Sequence, residues 1–454
     1  MDKRGRFAGV GSFARFISKC LLVLLILWGI AYAVFLGLAV SKENSVEKRW
    51  AAAGMPLKGF LEGLPRTEKN AAAKRLEELT AKLGLSILPM EETQPKEGED
   101  WKKANGVLST MVTAALEEPG EPSGGEVAVP EPLASFFTTH EADLAAIRDL
   151  LIVEKVTWDS HPEKGAKAPL PNLVGQLNLT RLLVAHAIAL HQEKRDEEAL
   201  KDLDALWHLG DSLRESPFLI GQYVCIAETN MVVATLRHLE GAPAFLRERL
   251  AAYDPDKTLR IPLRSEAYMM FYGVRVWGFS PGIAHPDRPA LSDRLLTTAI
   301  KPYLRFCAAD MAGLFLTEVQ RLDALGPCAS DAELISISKG ITTNLPKWNL
   351  LVQVAYPNLG GSSRARPKQL KLQMELTDKV LQLREMKARQ GTWPKEAPGI
   401  EKSFCPKETW KYEATAEGGM SLTFSGPPIS KELVKHPYRL EYKEAGPAAV
   451  QPKK

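Results

Sequence analysis

The sequence predicts a mostly α-helical chain: an N-terminal transmembrane helix, an α-helical hairpin array and a small C-terminal antiparallel β-sheet. Three observations carry this. Residues 21–40 are apolar and uncharged. From about Pro132 to Met386, apolar residues recur at helical spacing in blocks separated by polar turns. After Trp410 the chain changes to short β-prone runs around Glu417-Gly418-Gly419, a hairpin signal.

The run Leu21–Val40 spans about 30 Å as a helix, one hydrocarbon core. Lys3, Arg4, Arg6, Arg15 and Lys19 precede it against the single acid Asp2. Lys42, Lys48, Arg49 and Lys58 follow it, with two acids among them. The basic excess favours a cytoplasmic N-terminus and a body on the far side. Trp28 and Tyr32 lie near the middle of the run, so it lacks aromatic residues at its ends. Gly37-Leu38-Ala39 and Ala39-Val40-Ser41 also resemble cleavage sites, which leaves a removed signal peptide as the rival reading. The length of the run favours an anchor. Cys20 precedes the run, so a lipoprotein is not expected.

The 454 residues carry 58 basic and 55 acidic side chains, a net charge of +3. That balance argues against a nucleic-acid partner. The expected organisation is a cytoplasmic basic segment (1–20), the transmembrane helix (21–40), and a stalk with short helices and a Pro/Gly linker (41–130). A helical domain (131–390), a small β unit (391–444) and a disordered tail (445–454) follow. Cys225, Cys307, Cys328 and Cys405 permit two disulfides in three pairings outside the cytoplasm, or buried free thiols.

The elements follow in order. Gly54, Pro56, Gly59, Gly63 and Pro65 interrupt the stalk at 41–66. Thr67 is placed to cap a helix with Leu76, Leu79 and Leu83 as its stripe, stopped by Gly84. Met90–Asp100 reads as a loop, Trp101–Leu116 as a short helix and Glu117–Pro132 as a linker. Thr138 and Glu141 have the spacing of a capping box. Leu173–His191 and Glu197–Leu213 are the next two helices, and Phe218–Leu239 follows. Pro243 starts a short helix to Tyr253. Ser265–Trp277, Leu291–Leu325 (with a break or kink at Pro302) and Lys368–Gln390 complete the set. Gly391 stops the last helix and Pro394 fixes the exit into the strands Trp410–Thr415, Met420–Ser425 and Tyr438–Tyr442.

Two resemblances rest on these residues. Leu173–His191 with Glu197–Leu213, and Ala199 at the small position of Asp196-Glu197-Glu198-Ala199-Leu200, resemble one tetratricopeptide hairpin. No 34-residue period recurs. Leu381–Trp393 with Pro394, a helix running into Gly-x-Trp-Pro before a small sheet, resembles a segment of uncharacterised membrane-anchored bacterial envelope proteins. It is also similar to the soluble part of type II secretion pseudopilins. The anchor lacks the pseudopilin Glu and prepilin cleavage motif, so pilus assembly is not implied. The first resemblance implies a protein-binding helical surface, the second an anchored envelope protein.

Catalytic strings are few. Gly278-Phe279-Ser280-Pro281-Gly282 has the form of a nucleophile elbow, but Pro281 has no N–H for an oxyanion hole. Ser336-Ile337-Ser338-Lys339 lacks its companion motifs. His186 and His191 are five apart, off a common helix face, and His208 with Asp204 and Asp211 reads as structural pairing. The aromatic stretch Arg264–Trp277 reads as a buried core helix, and Gly360–Lys371 as a solvated basic loop. No residue is assigned a catalytic, cofactor-binding or metal-ligating role. The expectation is a single-pass, periplasmic interaction or scaffold module on the bacterial inner membrane. The bilayer would hold residues 21–40 and an envelope protein would be the partner. An envelope hydrolase is the alternative, above all if Arg275, His285 and Asp287 converge.

Overall fold

The structure is a computed structural model that describes residues 5–64, 66–89, 97–117, 128–162, 164, 168–239, 241–277, 291–326, 328–343, 345–350, 352–353, 365–416, 418–426 and 441–444. Among the described residues there are twelve α-helices and one three-stranded sheet. The helices are α1 (Gly5–Ala52), α2 (Ala71–Lys82), α3 (Glu99–Glu117), α4 (Glu131–Val153), α5 (Leu173–Gln192) and α6 (Asp196–Arg214). The remaining ones are α7 (Leu219–Leu236), α8 (Ala244–Ala252), α9 (Pro255–Trp277), α10 (Leu291–Leu325), α11 (Asp331–Thr343) and α12 (Ala365–Gln390). The strands are β1 (Trp410–Ala414), β2 (Met420–Phe424) and β3 (Glu441–Glu444). The mostly helical class with a small C-terminal antiparallel sheet is the one the sequence predicts.

Two compact units emerge. The first comprises residues 1–60, 267–317 and 345–357, the second 61–266, 318–344 and 358–454.

In the first unit α1 does not end at Val40. It runs to Ala52, and Gly54 (φ +74°) closes it. The stalk expected from residue 41 is therefore helix over its first dozen residues. The cause is a second stripe: Ala39, Glu43, Val46 and Trp50, spaced three or four apart, are all buried. The charges that make this segment look like a solvated stalk are paired by α10. Arg305 Nε donates to Glu43 Oε1 at 2.7 Å, and Lys42 pairs with Asp310. The Trp50 indole donates to the Ala312 carbonyl at 3.0 Å. Gly313 lets Val46 and Arg49 approach the α10 backbone. Across α9, the Tyr268 and Tyr272 rings lie 4.4 Å apart, Phe271 is buried, and Tyr272 donates to Glu47 at 2.5 Å. Helix α10 continues through Pro302.

In the second unit the hairpin array is built from α2–α8. Helix α6 packs on α4, α5 and α7, while α3 packs on α4 and α5. The α5–α6 turn is three residues long. Lys194 takes a left-handed φ of +64°, so that Arg195 N–H reaches the Leu190 carbonyl at 2.8 Å. Two caps differ from expectation. Asn70, not Thr67, caps α2, its Oδ1 accepting from Ala73 N–H at 2.9 Å. Thr67 instead pairs with Ser160 and donates to the Trp158 carbonyl. Thr138 and Glu141 form no capping box. Helix α4 begins at Glu131 and only kinks at His140; Thr138 bonds the Ala134 carbonyl, and Glu141 pairs with Arg195 at 2.7 Å. The short hydroxyl finds its own helix before it finds the next.

The C-terminal module packs β1-β2-β3 against α12. Trp410 faces Phe424, and Leu422 faces both Tyr412 and Tyr442. Met420, Leu422 and Phe424 alternate inward on Leu376, Val380, Leu383 and Trp393. Gly391 (φ +76°) stops α12, and Tyr412 donates to the Pro394 carbonyl at 2.7 Å. The third strand is 441–444; residues 438–440, the tail from 445, Glu417, and most of the 90–96 and 118–127 connections lie outside the described residues.

One disulfide, Cys328–Cys405, joins the segment before α11 to the segment before β1, with Cα atoms 5.3 Å apart. Cys225 and Cys307 are buried and are not disulfide-bonded. Cys405→Ser is expected to lower unfolding stability of the second unit by roughly 2–4 kcal/mol in urea titrations. The same loss is expected for the native chain under dithiothreitol. Equal midpoints with and without reductant would contradict the bridge. Leu422→Ala, at 0% exposure, is expected to cost about 2–5 kcal/mol in the same titration.

Candidate functional site

The largest apolar surface is on α1. Fourteen large apolar side chains between Phe16 and Leu38 are exposed, a run that exceeds anything a water-soluble surface ordinarily tolerates. None of the apolar window is buried within the protein. Helices α5 and α7 are also long and apolar enough to cross a membrane, but 67% and 78% of their windows are buried in the fold. Composition alone does not separate these helices; burial does.

The chemistry-bearing side chains concentrate inside the second unit. Between α5 and α6, His186 Nδ1 lies 2.6 Å from Asp202 Oδ2, both buried, and Arg148 of α4 adds a contact at 3.6 Å to the other carboxylate oxygen. Burial pushes the Asp202 carboxyl up, and the His186 hydrogen bond opposes it. One turn along, His191 pairs with Asp196. The two histidines, five apart, thus reach two α6 carboxylates six apart across the short turn. Arg195 holds Glu198 with Nε–Oε1 at 2.7 Å, which lowers the Glu198 carboxyl.

On the outer side of α6, His208 meets Asp204 at 3.5 Å and Asp211 at 3.9 Å. Each carboxylate already has a guanidinium: Arg249 on Asp204 and Arg214 on Asp211. The Arg214 guanidinium also lies 3.7 Å over the Trp207 ring and 4.7 Å over Tyr253. This is the structural pairing expected for His208, enlarged by two arginines.

Glu228 of α7 is a strongly perturbed acid. It is 1% exposed, and burial raises its pKa to about 8, with the Thr180 hydrogen bond and the Arg214 charge offsetting only part. Its Oε1 lies 3.1 Å from Thr180 Oγ1, which also lies 3.1 Å from the Gln176 carbonyl. The one Thr180 proton is therefore shared between two acceptors. A Glu228 that burial keeps protonated can donate to Thr180 in turn, which leaves the hydroxyl proton to Gln176. Glu228 Oε2 has no hydrogen-bond partner, as suits a neutral acid. Nearby, Ser212 accepts from the Trp158 indole at 2.9 Å and the Gln176 amide at 3.2 Å, joining α5 to α6. Burial also raises Cys225 to about 11 and lowers His238 to about 4, its Nε2 donating to the Ala115 carbonyl at 2.6 Å.

These groups hold helices together. At least one ring nitrogen of each of His186, His191, His208 and His238 meets a carboxylate, a guanidinium or a carbonyl. Among the described residues no three His, Cys, Asp or Glu side chains are placed to share a metal ion. Ser336 and Lys339 lie exposed within α11. The Gly278–Gly282 string, His285 and Asp287 lie outside the described residues, and Arg275 is placed only as part of α9.

The basic loop expected at Gly360–Lys371 is α12 from Ala365 onward, and residues 360–364 lie outside the described residues. Its lysines turn inward: Lys368 donates to the Ala329 carbonyl at 2.8 Å and Lys371 pairs with Asp254 and Asp256, while the exposed Arg366 lies over the Tyr223 ring. The sequence did not mark Glu228. An acid in an otherwise apolar helix, Val224–Val233, was the available signal.

A folded pKa above the unfolded one means that the native state binds the extra proton between about pH 4.5 and 8. Stability is therefore full below pH 4.5 and falls as pH rises toward 8. Urea midpoints should decline across that window with a contribution up to about 1.4 kcal/mol per pH unit, and Glu228→Gln should remove this slope. An unchanged slope in that variant would contradict a buried neutral Glu228. Asp202→Ala, which strands Arg148 and His186, is expected to cost about 3–5 kcal/mol. Loss of the exposed Lys411–Glu413 pair should cost under about 1 kcal/mol by the same titration.

Comparison with protein-family models, curated proteins and solved structures finds no match to this chain.

Proposed function

We propose that this chain is a single-pass protein of a bacterial inner membrane, with the N-terminus in the cytoplasm and the helical body in the periplasm as an interaction or scaffold module. The exposed apolar surface of α1 carries this reading. A helix of that length and composition matches one hydrocarbon core. The basic excess before the run supports this orientation. The Cys328–Cys405 bridge supports an oxidising compartment for the body. The continuation of α1 to Ala52 supports an uncut anchor, because cleavage near Ala39 would sever the segment before Glu43 and Trp50 from the run. The interaction role rests on what the body offers: packed helix pairs whose ionisable groups are engaged inside the fold.

A reporter fused after Lys454 and active only outside the cytoplasm is expected to be active on a full-length product. An inactive reporter, or an active product shorter by about 40 residues, would contradict the anchored orientation. For the scaffold role, the native chain extracted gently from its own membranes should migrate in a larger complex than the purified chain. Identical migration would contradict it.

A further inference from the structure

The apolar run of α1 has no Trp or Tyr in its last eight residues. The first unit places them there from elsewhere in the chain. Phe306 of α10 stacks on Phe35, ring centroids 5.7 Å apart and nearly parallel, while its neighbour Arg305 pairs with Glu43. These two contacts bracket Val40, so this turn of α10 lies level with the end of the apolar run. Phe35 is only about 7.5 Å of helix before that end. Trp348 lies 5.0 Å from the Phe306 ring and 6.1 Å from Tyr303. Lys42, the first charge after the run, sits 4.0 Å over the Phe306 ring.

Trp348 and Leu350 remain 45% and 65% exposed, and their position is built rather than loose. Between them Asn349 is fully buried. Its amide donates to the Cys307 carbonyl at 3.3 Å and to Asp310 at 3.2 Å, and its Oδ1 accepts from Val352 N–H at 3.0 Å. Tyr303 donates to the Trp348 carbonyl at 2.8 Å and accepts from Leu350 N–H at 3.1 Å. The segment is pinned to α10 from beneath, and its two large apolar side chains are held outward.

We infer that Trp348 and Leu350, with Tyr303 and Phe306 beside them, form a second membrane contact in the interfacial layer of the bilayer that α1 crosses. This rests on α1 being an anchor and deepens that reading. Once α1 spans, its contacts with α10 set the depth of the ridge at the boundary of hydrocarbon and headgroups. Tryptophan and tyrosine favour that layer because an apolar ring and a polar atom are both satisfied there. The body would then be held against the membrane at two points, the spanning helix and the ridge.

The test reconstitutes the full-length protein in phosphatidylcholine vesicles carrying either a mid-chain bromine or a headgroup nitroxide as quencher of tryptophan emission. Native protein is compared with Trp28→Phe and Trp348→Phe. Trp28 reports the anchor, Trp348 the ridge. The expected result is mid-chain quenching that diminishes in Trp28→Phe and headgroup quenching that diminishes in Trp348→Phe. Undiminished headgroup quenching in Trp348→Phe, with the Trp28 signal present, overturns the ridge contact and leaves the anchor standing; the ridge would then face a protein or a second copy. Absence of the Trp28 signal overturns the anchor and the ridge together.

Discussion

The ion pair between Glu43 and Arg305 is the interaction on which the first unit depends. It is nearly buried, with side chains 5% and 12% exposed, and it sits one turn beyond the last apolar residue of the exposed run. Without it Glu43 would be an uncompensated charge in the interface between α1 and α10. With it, the polar part of α1 becomes a packing face, and Val46 and Trp50 lie against α10. One helix therefore has two surfaces of different character. Its N-terminal part presents apolar side chains on all sides, and its C-terminal part buries one stripe and pairs its charges.

The second unit faces a different problem. Its central helices α5 and α7 are so apolar that they would suit a membrane, and in the fold they are surrounded by other helices. Polar side chains within them have no water to turn to, and they find each other: Thr180 with Glu228, Gln176 with Ser212, His186 with Asp202. A buried network of this kind rewards one helix register over its neighbours, because a slip of a turn would leave several groups unpaired at about 1–3 kcal/mol each. Glu228 joins the network as a neutral acid, which lowers the cost of burying it.

Much of the fold was legible in the sequence because it depends on local signals. Gly84 and Gly391 ended their helices with positive φ, Lys194 lies in the polar turn the pattern marked, and the hairpin from Trp410 to Phe424 follows its alternation. What was misread depends on partners far along the chain. Lys42–Arg49 reads as a stalk until Arg305, Asp310 and Ala312 are beside it. Thr138 and Glu141 match a capping box by spacing, yet Arg195 takes the glutamate. Lys368 and Lys371 look solvated until Ala329, Asp254 and Asp256 accept them. The pairing of Cys328 with Cys405 is likewise a tertiary fact that spacing leaves open. Glu228 was visible as a lone acid in an apolar helix, but the raised pKa follows only from the burial that the surrounding helices impose.

The decisive feature of the first unit is that the long apolar helix α1 continues, unbroken and packed, from its exposed run to Ala52. Amide hydrogen exchange of the full-length protein in lipid nanodiscs tests it most directly. Amides from Val40 to Ala52 are expected to be protected to the level of the α10 amides they pack on, with protection falling only beyond Gly54. Rapid exchange over Ser41–Ala52, as in a flexible stalk between a protected anchor and a protected body, would contradict it.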